Sequence, residues 1–170
     1  LTRIAHEILE RNHGVADVAL VGVRSRGVPL ARRVATILSR ESGADVPTGA
    51  LDITLYRDDL MRTAVGPQPL VRRTEIPFSI DDRTIVLVDD VLYTGRTVRA
   101  ALDEIVDFGR PQCIRLVALV DRGHREYPIQ GDYVGHRIET TPDQHISVRM
   151  KELDNEDGVF SADYPHDEEG

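Results

Sequence analysis

The residues best suited to chemistry lie between positions 86 and 97, where two adjacent aspartates precede a short turn with two threonines. Asp89 and Asp90 follow an apolar run, and Thr94 and Thr97 flank the start of an amphipathic segment. Backbone N–H groups at a helix N-terminus bind phosphate oxygens, and carboxylates accept hydrogen bonds from hydroxyl groups. The segment therefore fits a sugar phosphate, with its hydroxyls on the aspartates and its phosphate at the helix.

Each part of this segment also has a simpler explanation when it is taken alone. Acidic residues at a strand end are often a solvated turn, and Thr94–Thr97 also fits an ordinary helix N-cap. The order of strand, paired acids, loop and helix start favours a binding site over both alternatives. The spacing does not match a Walker A loop or the three-glycine fingerprint of a dinucleotide site.

The elements that must position these residues alternate between strands and helices. The β-branched run at 84–88 predicts a strand that is covered on both faces, and a helix follows until Gly109 and Pro111. Similar patterns predict helices at 1–11 and 29–39, and strands at 17–23, 50–56, 114–120 and, more weakly, 132–135 and 145–150. Alternation of this kind predicts an α/β fold with a mainly parallel sheet flanked by helices. Ligands of such sheets bind beyond the carboxyl ends of the strands, where the aspartates lie.

A long polar segment at 57–79 has no clear period and contains Gly66 and three prolines. A segment of this length inside a domain is usually disordered or a functional lid. We expect it to be a mobile loop that closes over the site.

The net charge of −8 is confined to the C-terminal part of the chain. Residues 152–170 contain eight acidic side chains and no Lys or Arg, which leaves 21 basic and 21 acidic side chains in residues 1–151. The acidity of the whole chain therefore does not exclude an anionic ligand for the body. We expect a domain at 1–153 and an acidic, flexible tail at 154–170.

The sequence lacks the features typical of membrane-spanning, secreted and disulfide-bonded proteins. No apolar run reaches the roughly 20 residues of a membrane span, and no secretory signal pattern opens the chain. The single cysteine, Cys113, cannot form an internal disulfide and is most simply a small core residue. These features predict a cytoplasmic protein with no membrane partner.

Three blocks of the sequence resemble a known family. Residues 86–97 closely resemble the motif with which type I phosphoribosyltransferases bind 5-phosphoribosyl 1-pyrophosphate (PRPP). Residues 52–60, 89–99 and 119–126 together resemble the pyrimidine operon regulators of that fold, which double as uracil phosphoribosyltransferases. The resemblance covers about residues 1–153. It implies the type I phosphoribosyltransferase fold, with a small hood subdomain at about 121–150 and the loop at 57–79 as its lid.

The resemblance also implies a role for each matching residue. Asp89 and Asp90 would bind the ribose hydroxyls, Arg26 would hold the pyrophosphate, and these three would carry the catalysis. Arg122 would help to place uracil. The implied substrate contacts are Ser25, Arg26, Arg57, Asp89, Asp90, Val91, Leu92, Tyr93, Thr94, Gly95, Arg96, Thr97, Arg122 and Ile146. Mg²⁺ would enter with PRPP, and no protein side chain is expected as a dedicated metal ligand.

A second implied partner is the leader RNA of pyrimidine operons, bound when a uridine nucleotide such as UMP or UTP is present. The candidate RNA-binding residues are Thr2, Arg3, His6, His124 and Arg125. Those on the first helix also fit an ordinary solvated face. Two alternatives remain open, a weakly catalytic regulator that only binds RNA and a phosphoribosyltransferase for another nucleobase. The resemblance further implies a homodimer or a higher homo-oligomer.

Overall fold

A five-stranded parallel sheet forms the centre of the computed structural model, which describes residues 1–53 and 73–163. The helices are α1 (Thr2–Arg11), α2 (Gly27–Ser42), α3 (Arg96–Ile105, followed by a 3₁₀ turn at Val106–Phe108) and α4 (Lys151–Asp154). The strands are β1 (Val18–Val23), β2 (Thr48–Leu51), β3 (Thr84–Leu92), β4 (Cys113–Asp121), β5 (Tyr133–Arg137), β6 (Gln144–Arg149) and β7 (Gly158–Asp163). The α/β prediction is confirmed.

The strand order in the sheet is β2-β1-β3-β4-β5. The chain moves from β1 towards one edge through α2, and from β3 towards the other edge through α3. The direction of winding therefore reverses between β1 and β3. Crevices of this kind, at the carboxyl ends of the strands, are where open α/β sheets bind their ligands.

Apolar side chains cover both faces of the sheet. The face under α1 and α2 buries residues such as Ile8, Leu38 and Val86, and the face under α3 buries residues such as Leu87 and Ile105. Because β1 is buried along its whole length and β3 along its first six residues, the strands that carry the site lie at the rigid centre of the fold. Among the described residues, none of the helices could cross a bilayer.

Three boundaries differ from the sequence predictions. The strand predicted to end at Val88 continues to Leu92, because β4 supplies hydrogen-bonding partners along this stretch. The strand predicted at 50–56 begins earlier, at Thr48, and ends at Leu51. Arg57 and most of the predicted lid fall at 54–72, outside the described residues.

The expected flexible tail is in part a strand. Residues 158–163 form β7, which pairs antiparallel with β6 from Gln144↔Asp163 to Arg149↔Gly158. A lone β6 would leave its backbone hydrogen-bonding groups unpaired, and β7 supplies their partners. The prediction of a flexible tail from residue 154 did not include this strand, and residues 164–170 lie outside the described part.

Candidate active site

Asp89 and Asp90 lie side by side near the carboxyl end of β3, the central strand of the sheet. Asp89 is only 6% exposed and pairs in register with Ala118 of β4, while Asp90 is half-buried. The backbone N–H of Asp90 donates to Asp89 Oδ1 at 3.0 Å. Because the pair belongs to an interior strand rather than to a solvated turn, the backbone of both residues is held in place beside the crevice.

The turn that follows β3 leads directly into the N-terminus of α3. Gly95 has a φ of +91°, and a Cβ at this position would lie 3.3 Å from Tyr127 Cβ, so both conformation and space favour glycine. Thr94 Oγ1 accepts a hydrogen bond from the Arg96 N–H at 3.3 Å. The first N–H groups of a helix have no partner within the helix, and Thr97 lies in this first turn. Strand, paired acids, turn and helix thus occur in the predicted order and form a site suited to an anion.

A segment at 122–129 lies across this turn and binds its carbonyl groups. The consecutive carbonyls of residues 92–94 accept hydrogen bonds of 2.9 to 3.1 Å from Arg122, Arg125, Glu126 and Tyr127. Arg96 Nε adds a hydrogen bond of 2.7 Å to Glu126 Oε2. The turn is therefore fixed from the side of its carbonyls.

The loop after β1 brings two arginines to the same edge of the sheet. A Cβ on Gly27 would lie 2.3 Å from Val88 O, and a Cβ on Gly22 would lie 2.4 Å from Gly27 O. These two glycines let the start of α2 press against the backbones of β1 and β3. Since Gly22 is in register with Val88, the loop 24–26 lies beside the aspartates on the neighbouring strand.

The guanidinium groups of Arg24 and Arg26 each have one buried donor that no described residue binds. Neither Nε has a hydrogen-bond partner among the described residues, although both atoms are buried. Arg24 Nη2 donates to Arg73 O at 3.0 Å, and Arg26 Nη2 donates to Asp154 Oδ1 at 2.9 Å. Ser25 is exposed between them. Two guanidinium groups with unused donors on one loop suit a ligand of high negative charge.

Arg122 is buried in the hood, with 4% of the residue exposed. Its guanidinium carbon lies 4.0 Å from the centre of the Tyr93 ring, and its Nε donates to Thr140 Oγ1 at 3.2 Å. His124 contacts the edge of the same ring, with the two ring centres 5.9 Å apart. A cavity of about 610 Å³ lies here, and its lining includes Arg122, His124 and Arg137. Tyr93 thus joins the anion-binding turn to the hood.

Ile146 lies on β6, opposite Ser161 of β7, and only 4% of it is exposed. Its side chain belongs to the core cluster on the α1 and α2 side of the sheet. The prediction that its backbone lies near a base stays a prediction.

The candidate RNA-binding residues form two groups in the structure. Thr2, Arg3 and His6 lie exposed on α1, where Arg3 also donates to Val134 O and Gly135 O of β5 at 2.9 and 2.5 Å. His124 is exposed, but Arg125 is held by the Ile129 carbonyl at 2.8 Å and by Asp121 at 2.7 Å. Arg125 is therefore mainly a structural residue of the hood in this state.

The described end of the predicted lid is anchored to β2. Glu75 and Ala50 exchange two backbone hydrogen bonds of 2.8 Å. Thr74 Oγ1 accepts from the Asp52 N–H at 2.9 Å and donates to Glu104 Oε1. Burial raises the pKa of Glu104 above its usual 4.5, and Glu104 Oε2 is buried without a partner among the described residues.

Sequence reasoning did not single out Asp154, Arg137 or Glu104 as part of this region. Asp154 reaches Arg26 from an element that is distant in sequence, Glu104 lies near the end of α3 and contacts Thr74, and Arg137 ends a weakly predicted strand. Nothing in the local pattern distinguished these residues from surface charges. The described residues contain no group of three or more His, Cys, Asp or Glu that could hold a metal ion.

The chain is similar to known proteins over most of its length. Residues 1–155 match the phosphoribosyl transferase domain family. The chain is 58% identical over 159 residues to the bifunctional protein PyrR of Pelotomaculum thermopropionicum, which covers 94% of this chain and 87% of that protein. It is 60% identical over 161 residues to the bifunctional protein PyrR of Roseiflexus sp., again with 94% and 87% covered. A solved hypoxanthine-guanine phosphoribosyltransferase of Bacillus anthracis superposes with a TM-score of 0.64 at 18% identity, with 95% and 89% of the two chains covered, and it supports the fold alone.

Proposed function

The chain belongs to the phosphoribosyl transferase family and, within it, to the bifunctional PyrR proteins, and on this premise we propose that it transfers the 5-phosphoribosyl group of PRPP to uracil, with UMP and pyrophosphate as products. The observation that carries the proposal is the meeting of two anion sites and an acidic pair in one crevice. Asp89 and Asp90 lie between the turn before α3 and the arginine loop before α2.

The substrate fits this crevice in one orientation. Its 5-phosphate binds at the turn 93–97, its ribose hydroxyls donate to Asp89 and Asp90, and its pyrophosphate binds at the loop 24–26. Neighbouring strands lie about 4.8 Å apart, so loops that follow β1 and β3 can hold the two ends of one ribose phosphate. Each part of PRPP thereby meets a group of matching charge or hydrogen-bonding character.

The chemistry of transfer explains the charges of the site. Breaking the bond between the anomeric carbon and pyrophosphate develops positive charge on the ribose and negative charge on the leaving group. The carboxylates of Asp89 and Asp90 lie on the ribose side, and the guanidinium of Arg26 lies on the pyrophosphate side. We identify no general base for uracil N1 among the residues assigned here, so the protein acts mainly by orienting the reactants and stabilising charge.

The donor set at the crevice fits a magnesium ion that is carried by the substrate. Mg²⁺ is commonly bound through one or two carboxylates together with substrate phosphates and water, and the carboxylates of Asp89 and Asp90 would hold it at this crevice. When bound, the ion would neutralise charge on the departing pyrophosphate.

The base belongs in the hood. Arg122 is held in place by Thr140 and Tyr93 beside a cavity of about 610 Å³. A buried guanidinium donates to carbonyl oxygens, of which uracil has two. This fits uracil as the acceptor; orotate, which has the same two carbonyls, and adenine, which has none, serve as the comparison bases.

Release of pyrophosphate tests the enzymatic function. The wild-type protein with Mg²⁺ and PRPP should release pyrophosphate in the presence of uracil, and much less with orotate or adenine. Asp89→Asn and Asp90→Asn should each lower kcat/KM by about a hundredfold, the size of effect typical for loss of one transition-state contact. A wild type that is inactive with every base would contradict the enzymatic function, and full activity in both variants would contradict the assigned roles.

A second function, the binding of pyrimidine operon leader RNA, is favoured by the exposed Thr2, Arg3 and His6 on α1 and by the exposed His124 in the hood. Binding through phosphates should weaken steeply as salt rises. We expect UMP to strengthen the binding, since UMP occupies the crevice that Tyr93 joins to the hood. Equal affinity for a scrambled RNA of the same length, with and without UMP, would exclude this function.

A further inference from the structure

Arg26, which we assign to the pyrophosphate, is bound by a carboxylate from the far end of the chain. Its Nη2 donates to Asp154 Oδ1 at 2.9 Å, and the two side chains are 35% and 22% exposed. Asp154 is the last residue of α4, in the segment that was expected to be a flexible tail. The crevice therefore includes a residue from outside the sheet.

The carboxylate of Asp154 is itself held in place. Its second oxygen, Oδ2, accepts a hydrogen bond of 2.8 Å from the backbone N–H of Met150, and Met150 is buried in the core. The Met150 N–H, together with the nearby Arg26 guanidinium, holds the pKa of Asp154 below its usual value, so the group is charged at neutral pH. Asp154 is thus an anion held in place through Oδ2, and its Oδ1 can orient the arginine.

The segment around Asp154 is fastened to α2 at a second point. Arg33 donates to both carboxylate oxygens of Glu152 at 2.8 and 2.6 Å and to Asp157 Oδ1 at 2.8 Å. These contacts hold the segment against α2 without touching Arg26. The two attachments can therefore be separated by mutation.

We propose that Asp154 is a positioning residue for the transfer reaction, which holds the Arg26 guanidinium so that its remaining donors face the pyrophosphate of PRPP. The proposal rests on the proposed phosphoribosyl transfer. An arginine carries five donors, and Asp154 accepts from one of them, while Arg26 Nε is buried without a partner among the described residues. A long side chain that is already ordered loses less freedom when the ligand binds.

The same contact could also have the opposite effect on the binding of PRPP, and a measurement can tell the two effects apart. A carboxylate beside Arg26 also weakens the attraction of that site for an anion, so its removal would tighten the binding of PRPP if electrostatics dominated. If Asp154 positions Arg26, removal of its carboxylate should instead weaken the binding of PRPP. The direction of the change in the KM for PRPP therefore decides between the two.

The test compares Asp154→Asn with Glu152→Gln. Asp154→Asn keeps the size of the side chain and an oxygen for the Met150 N–H, and should raise the KM for PRPP about tenfold, the effect of losing one charge-assisted hydrogen bond, with the KM for uracil unchanged. Glu152→Gln loosens the attachment to Arg33 but leaves Arg26 and Asp154 in place, and should keep the wild-type KM for PRPP.

Two further measurements complete the test. Calorimetric binding of magnesium pyrophosphate, which needs no turnover, should weaken about tenfold in Asp154→Asn. In an Arg26→Met background, which removes the cation that Asp154 binds, Asp154→Asn should have no additional effect.

Several outcomes would overturn the proposal. They are a lower or unchanged KM for PRPP in Asp154→Asn, an equal rise in Glu152→Gln, and a full additional effect in the Arg26→Met background. A wild type that binds magnesium pyrophosphate but turns over no base would instead refute the proposed function, and the binding comparison would still decide the role of Asp154.

Discussion

Replacing Gly27 with alanine tests how closely the start of α2 must approach the strand that carries the acidic pair. The added Cβ would lie 2.3 Å from Val88 O and 3.4 Å from the carbonyl carbon of Gly22. An ordinary contact to a carbon is about 3.5 Å or more, so the helix must move away by roughly 1 Å. Both neighbours are backbone atoms of buried strands, and neither can move aside as a flexible side chain would.

The cost of this substitution follows from two opposing effects. Overpacking against rigid neighbours costs up to about 3 kcal/mol, and alanine is favoured over glycine in a helix by roughly 0.5–1 kcal/mol. The free energy of unfolding should therefore fall by about 2 kcal/mol, measured from the urea midpoint at an unchanged m value. Because the shifted helix carries the loop 24–26, the KM for PRPP should rise several-fold.

Gly43→Ala is the matched control for this prediction. Gly43 ends the same helix with a φ of +72° and open space around it, so alanine there costs roughly 1 kcal/mol of backbone strain without a clash. Its KM for PRPP should equal that of the wild type. Wild-type stability in Gly27→Ala, or the same rise of KM in both variants, would refute the reasoning.

Two further predictions concern the base of the lid and the RNA surface. Because burial raises the pKa of Glu104 in the folded state, its contribution to stability is complete below the unfolded pKa, near 4.5, and is lost as the pH rises through the folded pKa. Glu104→Gln should therefore flatten the pH dependence of urea unfolding above about pH 4.5, and an unchanged slope would contradict a buried, titrating Glu104. Arg3→Ala should weaken binding of leader RNA and reduce its salt slope by about one, with unfolding monitored because Arg3 also holds α1 to β5; an unchanged affinity and slope would place the RNA elsewhere.

The centre of the fold could be predicted because local pattern and tertiary environment agree there. The run at 84–88 is β-branched and fully covered, and the residues up to Thr97 carry their own signals for a turn and a helix start. The sequence pattern predicts an end of β3 that is four residues too early, at Val88 instead of Leu92, because aspartate is rare inside strands. Pairing with β4 keeps Asp89 and Asp90 within the strand.

The C-terminal part could not be predicted, since its order depends on residues far away in sequence. The sequence shows only a surplus of acidic residues after position 151 and a surplus of arginines in the first forty. The structure joins the two, because Arg26 and Arg33 of the N-terminal part bind Asp154 and Glu152 of the C-terminal part. No periodicity encodes a contact across more than a hundred residues.

The two ends of the crevice are therefore held by different kinds of interaction. At the turn 93–97, backbone carbonyls and a glycine in a positive φ conformation fix the chain, and such contacts respond little to salt. At the loop 24–26, the backbone is fixed by close packing of Gly22 and Gly27, but the Arg26 guanidinium is held by a half-exposed ion pair. Half-exposed pairs are screened by salt. In the proposed reaction, the end of PRPP that stays attached to the product thus meets a part of the crevice fixed by backbone contacts, and the end that must leave meets a guanidinium ordered by a salt-sensitive ion pair.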